Sequence, residues 1–144
     1  MIKIFDLIHL SRCFYKVTDE LNAMAAAMAG DMVLKVTPAT STALATAQNA
    51  ALHKRRVVVT LEDAAGNRQT WFKGDLAAAV AQSVVGTGAI SVIDGTPQMV
   101  DGKCEIVISY TGVFAVGDTN TLTIAALTIM GTVVASKASV ETSI

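Results

Sequence analysis

The segment of residues 57–76, VVVTLEDAAGNRQTWFKGDL, groups side chains of the types that could carry out chemistry. Two adjacent acids, Glu62 and Asp63, could support general acid–base chemistry if the fold aimed them at one substrate. Asp63, however, begins the sequence DAAGN, in which an Asp side chain caps its own backbone and Gly66 and Asn67 tolerate positive φ. We therefore predict that a strand ends at Glu62 and that the acids serve a chain reversal.

The same segment carries two adjacent aromatic rings after the reversal. The sequence predicts a returning strand over residues 69–73, in which Trp71 and Phe72 point to opposite faces. One ring is then expected in the core. The other ring and Arg68, which lies at or near the loop tip, are candidate partner contacts.

The remaining candidates for chemistry favour structural roles. His9 and His53 have no acid at a catalytic spacing, and the Gly-x-Gly of VVGTGAI lacks the third glycine of a dinucleotide site. The Asp-Gly pairs of residues 94–103 lack the ligand order of a calcium loop and are typical of hairpin turns. Cys13 and Cys104 belong to no metal-binding pattern, and we expect two buried thiols, although a disulfide between them stays open. The sequence therefore predicts no enzyme activity, no cofactor and no metal.

The composition limits the partners. The 144 residues are 52% hydrophobic and 16% charged, with a formal net charge of −1. Without a basic excess, nucleic-acid binding is not expected, and the HKRR cluster at 53–56 is interpreted as a solvated strand entry rather than a phosphate contact. No apolar run of about 18 residues predicts a transmembrane helix, and charged residues interrupt the N-terminus before a signal peptide could form. We expect synthesis in a cytoplasm, without secretion, followed by assembly.

Residues 4–29 are predicted to form a helix that ends at Gly30. Its apolar residues alternate three- and four-residue steps, as in the a/d seam of a heptad repeat. Small uncharged residues occupy most of the e and g positions beside the seam. They do not specify a partner, so two arrangements remain open. The seam packs either against the same helix of neighbouring copies, in a dimer or trimer, or against the chain's own β-domain. The seam residues are Leu7, Leu10, Phe14, Val17, Leu21, Met24 and Met28.

After Gly30 the hydrophobic period changes from helical to strand-like. Alternation is clearest from Cys104 to Tyr110, and about seven short strands follow one another with Gly, Asp and Asn turns between them. Residues 39–52 are interpreted as a loop or a short helix, and residues 74–86 as a connection with a helical turn. The sequence predicts a mainly β chain: an N-terminal α-helix (1–30), for oligomerisation or docking, and an antiparallel β-sandwich (31–144), immunoglobulin-like or jelly-roll-like.

Two stretches carry a family resemblance, VVVTLEDAAGNRQTWFKGDL and GKCEIVISYTGVFAVGDTNTLTI. Their turn and strand patterns resemble bacterial immunoglobulin-like modules, and more closely the small β-sandwich decoration or cement proteins of tailed-bacteriophage heads, over residues 56–125. The resemblance implies a virion protein on the capsid surface, made in the host cytoplasm. It also implies that the protein binds the major capsid protein, or another virion protein, without catalysis.

Two functions remain as hypotheses. The first is a homo-oligomeric virion structural protein that stabilises the shell, which the low charge favours because such faces are covered in an assembly. The second is a ligand- or carbohydrate-binding sandwich module that uses Trp71, Phe72 or Phe114 as stacking platforms. The low aromatic content, 5%, counts against the second.

Overall fold

The computed structural model of the chain describes residues 12, 14–21, 32–43, 54–85, 90–111 and 114–144. Residues 12 and 14–21 are helical, in agreement with the predicted N-terminal helix. The rest of the described chain is mainly strand. The strands are β1 (Val33–Thr37), β2 (Thr40–Ala43), β3 (Lys54–Glu62), β4 (Gly74–Asp75), β5 (Val80–Val85), β6 (Ile90–Asp94), β7 (Gln98–Met99), β8 (Lys103–Thr111), β9 (Thr119–Ile124), β10 (Leu127–Ile129), β11 (Thr132–Val134) and β12 (Lys137–Ser143).

Two four-stranded sheets form the sandwich. The first has the order β1-β3-β8-β6 and the second the order β2-β12-β9-β5. All pairs within them are antiparallel except β2 with β12, which is parallel. This order is that of the immunoglobulin fold, with its first strand divided between the sheets. The predicted antiparallel β-sandwich is confirmed, and the strand order favours the immunoglobulin-like alternative.

The division of the first strand occurs at Pro38. β1 pairs with β3 in the first sheet, whereas β2 pairs with β12 in the second. Proline has no N–H for a ladder hydrogen bond, so a strand tends to end there and the chain is free to cross. The interpretation of residues 39–52 as a loop or short helix is wrong for β2, and residues 44–53 lie outside the described part. The Ala- and Thr-containing sequence of β2 has no clear hydrophobic periodicity, and for that reason the strand was not predicted.

Alternating apolar residues of both sheets fill the space between them. The predicted inward residues of β8 are buried, and so are those of β3 from Val57 to Leu61. Burial of each such aliphatic side chain contributes about 1.5–3 kcal/mol. The buried apolar residues are Met32, Leu34, Val36, Val57, Val59, Leu61, Leu76, Met99, Cys104, Ile106, Ile108, Tyr110, Phe114, Leu122, Ile124, Ile129 and Val134.

Three predicted segments differ in the structure. Residues 69–73 form turns rather than a strand, because Phe72 N–H donates to the Gln69 carbonyl at 3.1 Å and no amide ladder develops. The connection predicted over residues 74–86 contains β4 and β5. The strand predicted over residues 128–135 is a hairpin, β10–β11, whose turn places Met130 and Gly131 at positive φ.

The last strand reverses the usual pattern. Alternation along β12 is confirmed, but its polar residues Ser139, Glu141 and Ser143 face the interior, whereas Ala138 and Ile144 are exposed. Arg55 on β3 and Tyr110 on β8 face this strand and provide hydrogen bonds to Ser139 and Glu141. β12 is therefore an inward-polar strand, and the buried Arg55 and Asn120 share the polar part of the interior with it.

Candidate contact surface

The turn after β3 is built around one carboxylate. Asp63 Oδ1 accepts hydrogen bonds from the amides of Ala65 at 3.0 Å and Asn67 at 2.8 Å, and Oδ2 accepts one from Asn67 Nδ2 at 3.1 Å. Gly66 adopts φ +87°, which glycine accommodates without strain. The hydrogen bonds from the Asn67 backbone and side chain lower the pKa of Asp63 below its ordinary value. The acid is a cap for the turn, as predicted, and is poorly suited to deliver a proton.

The next residues hold Trp71 at the surface. Gln69 N–H donates to the Leu61 carbonyl at 2.8 Å, and Gln69 Nε2 donates to the Asn67 carbonyl at 3.0 Å. Gln69 Oε1 in turn accepts the indole N–H of Trp71 at 2.9 Å. The indole is 45% exposed. A large ring is thus presented to solvent with its orientation set by a fixed side chain.

Phe72 lies behind Trp71 and joins the loop to the core. It is half-buried and packs against the core cluster, and the two rings meet edge to face with centroids 5.8 Å apart and planes at 88°. The expectation that one ring points inward and one outward is confirmed: Phe72 is the inner ring and Trp71 the outer one.

A glycine on the turn between β7 and β8 clamps this loop. Gly102 N–H donates to the Phe72 carbonyl at 2.9 Å, and the Gly102 carbonyl accepts from Leu61 N–H at 3.0 Å. The backbone of Gly102 has φ +68°, and a Cβ there would lie 2.4 Å from the Gln69 carbonyl oxygen. The Asp-Gly pair at 101–102 serves a turn, as predicted, but its close approach to the Trp71 loop gave no signal in the sequence.

We call the exposed part of these two turns the Trp71 surface, comprising Arg68, Trp71, Val100 and Asp101. Arg68 is exposed, and its backbone forms an isolated antiparallel bridge with Glu62. Val100 is a large apolar residue left exposed beside Asp101, which has φ +51°. The structure thus places two predicted contact residues, Arg68 and Trp71, on braced turns and adds Val100, which sequence reasoning missed.

The described seam residues of the helix are also exposed. Phe14, Val17 and Leu21 are 76%, 55% and 59% exposed, so none of these side chains is buried against the sandwich. Leu7, Leu10, Met24 and Met28 lie outside the described residues.

Chemistry-bearing residues also meet inside the sandwich. Arg55 is buried on β3, where its Nη1 donates to the carbonyl and Oδ1 of Asn120 at 3.2 and 3.3 Å and its Nη2 donates to Ser139 Oγ. Tyr110 OH donates to Glu141 Oε2 at 2.5 Å. Burial is the larger cause and this hydrogen bond the second of the rise in the pKa of Tyr110 above its ordinary value.

This interior cluster corrects the interpretation of HKRR as a wholly solvated strand entry. Lys54 and Arg56 are exposed and form ion pairs with Asp94 and Glu105, but Arg55 between them is buried. Burying a guanidinium is costly unless its N–H groups find acceptors; β9 and β12 supply acceptors for Nη1 and Nη2, whereas Nε has none. The cluster's chemistry is hydrogen bonding between the two sheets, with a neutral phenol at ordinary pH.

Two further observations concern ligands and membranes. Among the described residues, no three His, Cys, Asp or Glu side chains are grouped so that they could hold a metal ion. Cys104 is buried and free, and burial raises the pKa of its thiol, whereas Cys13 lies outside the described residues. In the described ranges, no helix has the length and apolar content needed to cross a membrane.

No model of a protein family matches this chain, and no curated protein matches it. Solved structures that match include the ZirS C-terminal domain, with 11% identity and a TM-score of 0.43 over 80% of this chain and 66% of that one. They also include chitinase ChiW from Paenibacillus sp. str. FPU-7, with 13% identity and a TM-score of 0.41 over 78% of this chain and 13% of that one. The chain therefore spans just under two thirds of the first and about an eighth of the second. With TM-scores this low, neither likeness bears on function.

Proposed function

We propose that the protein is a non-enzymatic virion structural protein, a capsid decoration or cement protein that binds the major capsid protein shell through the Trp71 surface. The observation that carries this proposal is the Trp71 indole, which is 45% exposed yet hydrogen-bonded to Gln69 on a braced loop. An exposed ring whose orientation is already set loses little side-chain entropy on binding, and tryptophan is enriched among the residues that dominate interface energies.

The choice of a capsid as partner rests on the sequence. The strand–DxxGN–strand sequence pattern of residues 57–76 and the strand–turn–strand pattern of residues 102–124 resemble head decoration proteins. The turn chemistry of the first stretch is present in the structure, with Asp63 capping and Gly66 at positive φ. Turns of this kind are common to many β-sandwiches. The support for a capsid partner is therefore the sequence resemblance, and the support for a contact surface is the exposed ring of Trp71.

The helix supports an oligomer as the working unit. Phe14, Val17 and Leu21 form one exposed apolar face at seam spacing. If two or three copies join through this seam, each assembly presents several Trp71 surfaces to a repeating lattice. Several weak contacts then act together, since the second and third bind at high effective concentration.

A carbohydrate- or ligand-binding module is the second candidate. An exposed indole is suited to stack on a sugar ring, and Trp71 is such a ring. The other two proposed platforms are unsuitable, because Phe114 is buried against Tyr110, with centroids 5.0 Å apart, and Phe72 packs on the core. A sugar site would therefore depend on Trp71 alone among these three.

The deciding experiment measures binding to capsid shells stripped of this protein, with Trp71→Ala as the test variant and Val133→Ala as the control. Val133 is equally an exposed apolar residue, on the β10–β11 hairpin. We expect Trp71→Ala to weaken binding at least tenfold and Val133→Ala to leave it unchanged.

Absence of the protein from purified virions would overturn the capsid assignment. Binding to glycans on an array, abolished by Trp71→Ala and accompanied by no binding to shells, would establish the carbohydrate alternative instead.

A further inference from the structure

A small cavity lies at the end of the sandwich where the connection from β8 to β9 meets β12. Its volume is about 10 Å³, and it is lined by Phe114, Asp118, Asn120, Glu141 and Ser143. A volume of this size accommodates about one water molecule, and internal waters need two to four polar partners. Four of the five lining side chains are polar, so the cavity has the size and the chemistry for one water.

Ser143 provides the strongest indication that something occupies this space. The residue is 3% exposed, and its Oγ has no hydrogen-bond partner. Buried hydroxyls are almost always paired, because desolvation without a hydrogen bond is unfavourable. The backbone of Ser143 is fully engaged with the connection: its N–H donates to the Asp118 carbonyl at 2.8 Å, and its carbonyl accepts from Gly117 N–H at 2.9 Å. The hydroxyl is thus held at the cavity by a backbone that has little freedom to move.

Asp118, which also lines the cavity, supplies an acceptor. One of its oxygens, Oδ2, accepts from Ala115 N–H at 2.8 Å. A carboxylate offers about four lone-pair sites, so this single hydrogen bond does not exhaust it. A water between the two residues would accept the Ser143 hydroxyl proton and donate to the Asp118 carboxylate.

The size of the cavity, rather than its charge, favours water over a cation. Asn120 Oδ1, which lines the cavity, already accepts from the guanidinium of Arg55 at 3.3 Å. That positive charge is buried beside the site, but the carboxylates of Asp118 and Glu141 also line the cavity, so charge alone does not select against a metal ion. The cavity is too small for the six to eight oxygen ligands and waters that surround Ca²⁺.

We propose that this cavity binds one internal water molecule, which bridges the Ser143 hydroxyl and the Asp118 carboxylate and thereby fastens β12 to residues 114–118. This water adds to the polar interior of the sandwich, because Asn120 and Glu141 belong both to the cavity lining and to the hydrogen-bonded cluster of Arg55 and Tyr110. It is independent of the Trp71 surface and of the proposed function.

The test is a high-resolution crystal structure of the full chain and of two variants. In the unaltered protein we expect one electron-density peak at hydrogen-bond distance, about 2.7–3.2 Å, from Ser143 Oγ. In Ser143→Val, whose methyl groups fill the space, the peak should be lost. In Ser83→Val, a control at an exposed serine on β5, it should remain.

A solution measurement keeps the proposal testable if Ser143→Val does not fold. Ser143→Ala removes only the hydroxyl, and ¹⁷O magnetic relaxation dispersion counts long-lived internal waters. We expect one fewer such water in Ser143→Ala than in the unaltered protein and no change in Ser83→Ala. An empty cavity, an unchanged count in Ser143→Ala, or a peak at about 2.3–2.5 Å from several oxygens, as for Ca²⁺, would each overturn the proposal.

Discussion

The indole N–H of Trp71 donates a 2.9 Å hydrogen bond to Gln69 Oε1, two residues earlier in the same loop. Gln69 is itself anchored by its amide to the Leu61 carbonyl at the end of β3. An exposed ring is therefore tied through one side chain to the first sheet. Trp71 is also the single tryptophan of the chain, so tryptophan fluorescence reports on this residue without a contribution from another indole.

Replacing Gln69 by Ala should release the ring without unfolding the protein. The variant loses the acceptor for the indole N–H, while the backbone hydrogen bond of residue 69 is retained. We expect faster and wider motion of Trp71 in time-resolved fluorescence anisotropy, and shell binding about three- to tenfold weaker because the ring must be ordered on binding. Thr70→Ala, an exposed neighbour, is the control; equal anisotropy decay in Gln69→Ala and Thr70→Ala would contradict the bracing role.

Gly102→Ala should be strongly destabilising. The new Cβ would lie 2.4 Å from the Gln69 carbonyl oxygen, and φ is +68°, so both a clash with backbone and a strained conformation result. We expect a loss on the order of 3 kcal/mol in free energy of unfolding, measured by urea denaturation. Gly95→Ala is a matched control, because Gly95 has φ +76° but nothing within 4 Å of its Cβ position. It should cost only about 1 kcal/mol, and similar losses in the two variants would show that the close approach is not important.

Stability should fall at alkaline pH because of Tyr110. Its pKa is raised in the folded protein, chiefly by burial, from an ordinary value of 10.0. Above pH 10 the unfolded chain releases the phenol proton while the folded chain keeps it, so the folded state binds more protons and the free energy of unfolding decreases with pH. The contribution is therefore complete below pH 10 and is lost as pH rises toward the folded pKa.

Tyr110→Phe tests this assignment. We expect the variant to be about 1–3 kcal/mol less stable at pH 7, since Glu141 loses a buried donor. Its free energy of unfolding should then decline less steeply than that of the unaltered protein between pH 9 and 11, as followed by Trp71 fluorescence in urea. Parallel declines in both proteins would mean that other groups determine the alkaline loss.

The helix seam should control the oligomeric state. Phe14→Asp combined with Leu21→Asp places two charges on the exposed apolar face, and burying them between helices would be unfavourable. By light scattering we expect the unaltered protein to be a dimer or trimer and the double variant a monomer, with the sandwich unfolding at the same temperature. Tyr15→Asp is the control, because Tyr15 is exposed on the same helix but lies off the seam. A monomer in every case would exclude self-association through the seam.

Local patterns were sufficient for much of the first sheet and for the chain reversal at DAAGN. Alternation in β8 and β3 predicts the buried faces, because a strand with one covered side needs apolar residues at every second position. DAAGN predicts the reversal, since an Asp cap and a glycine at positive φ are local features. These effects act between residues a few positions apart, so they can be recognised before the fold is known.

Only the tertiary structure decided which side of β12 points into the sandwich and how Trp71 is braced. Ser139 and Glu141 point inward because Arg55 and Tyr110, distant in sequence, present hydrogen-bonding groups across the sandwich. The position of Gly102 against the Trp71 loop likewise depends on two turns that meet only after β3 and β8 have paired. A strand's alternation states which residues share a face; the chemistry of the opposing sheet determines which face is buried.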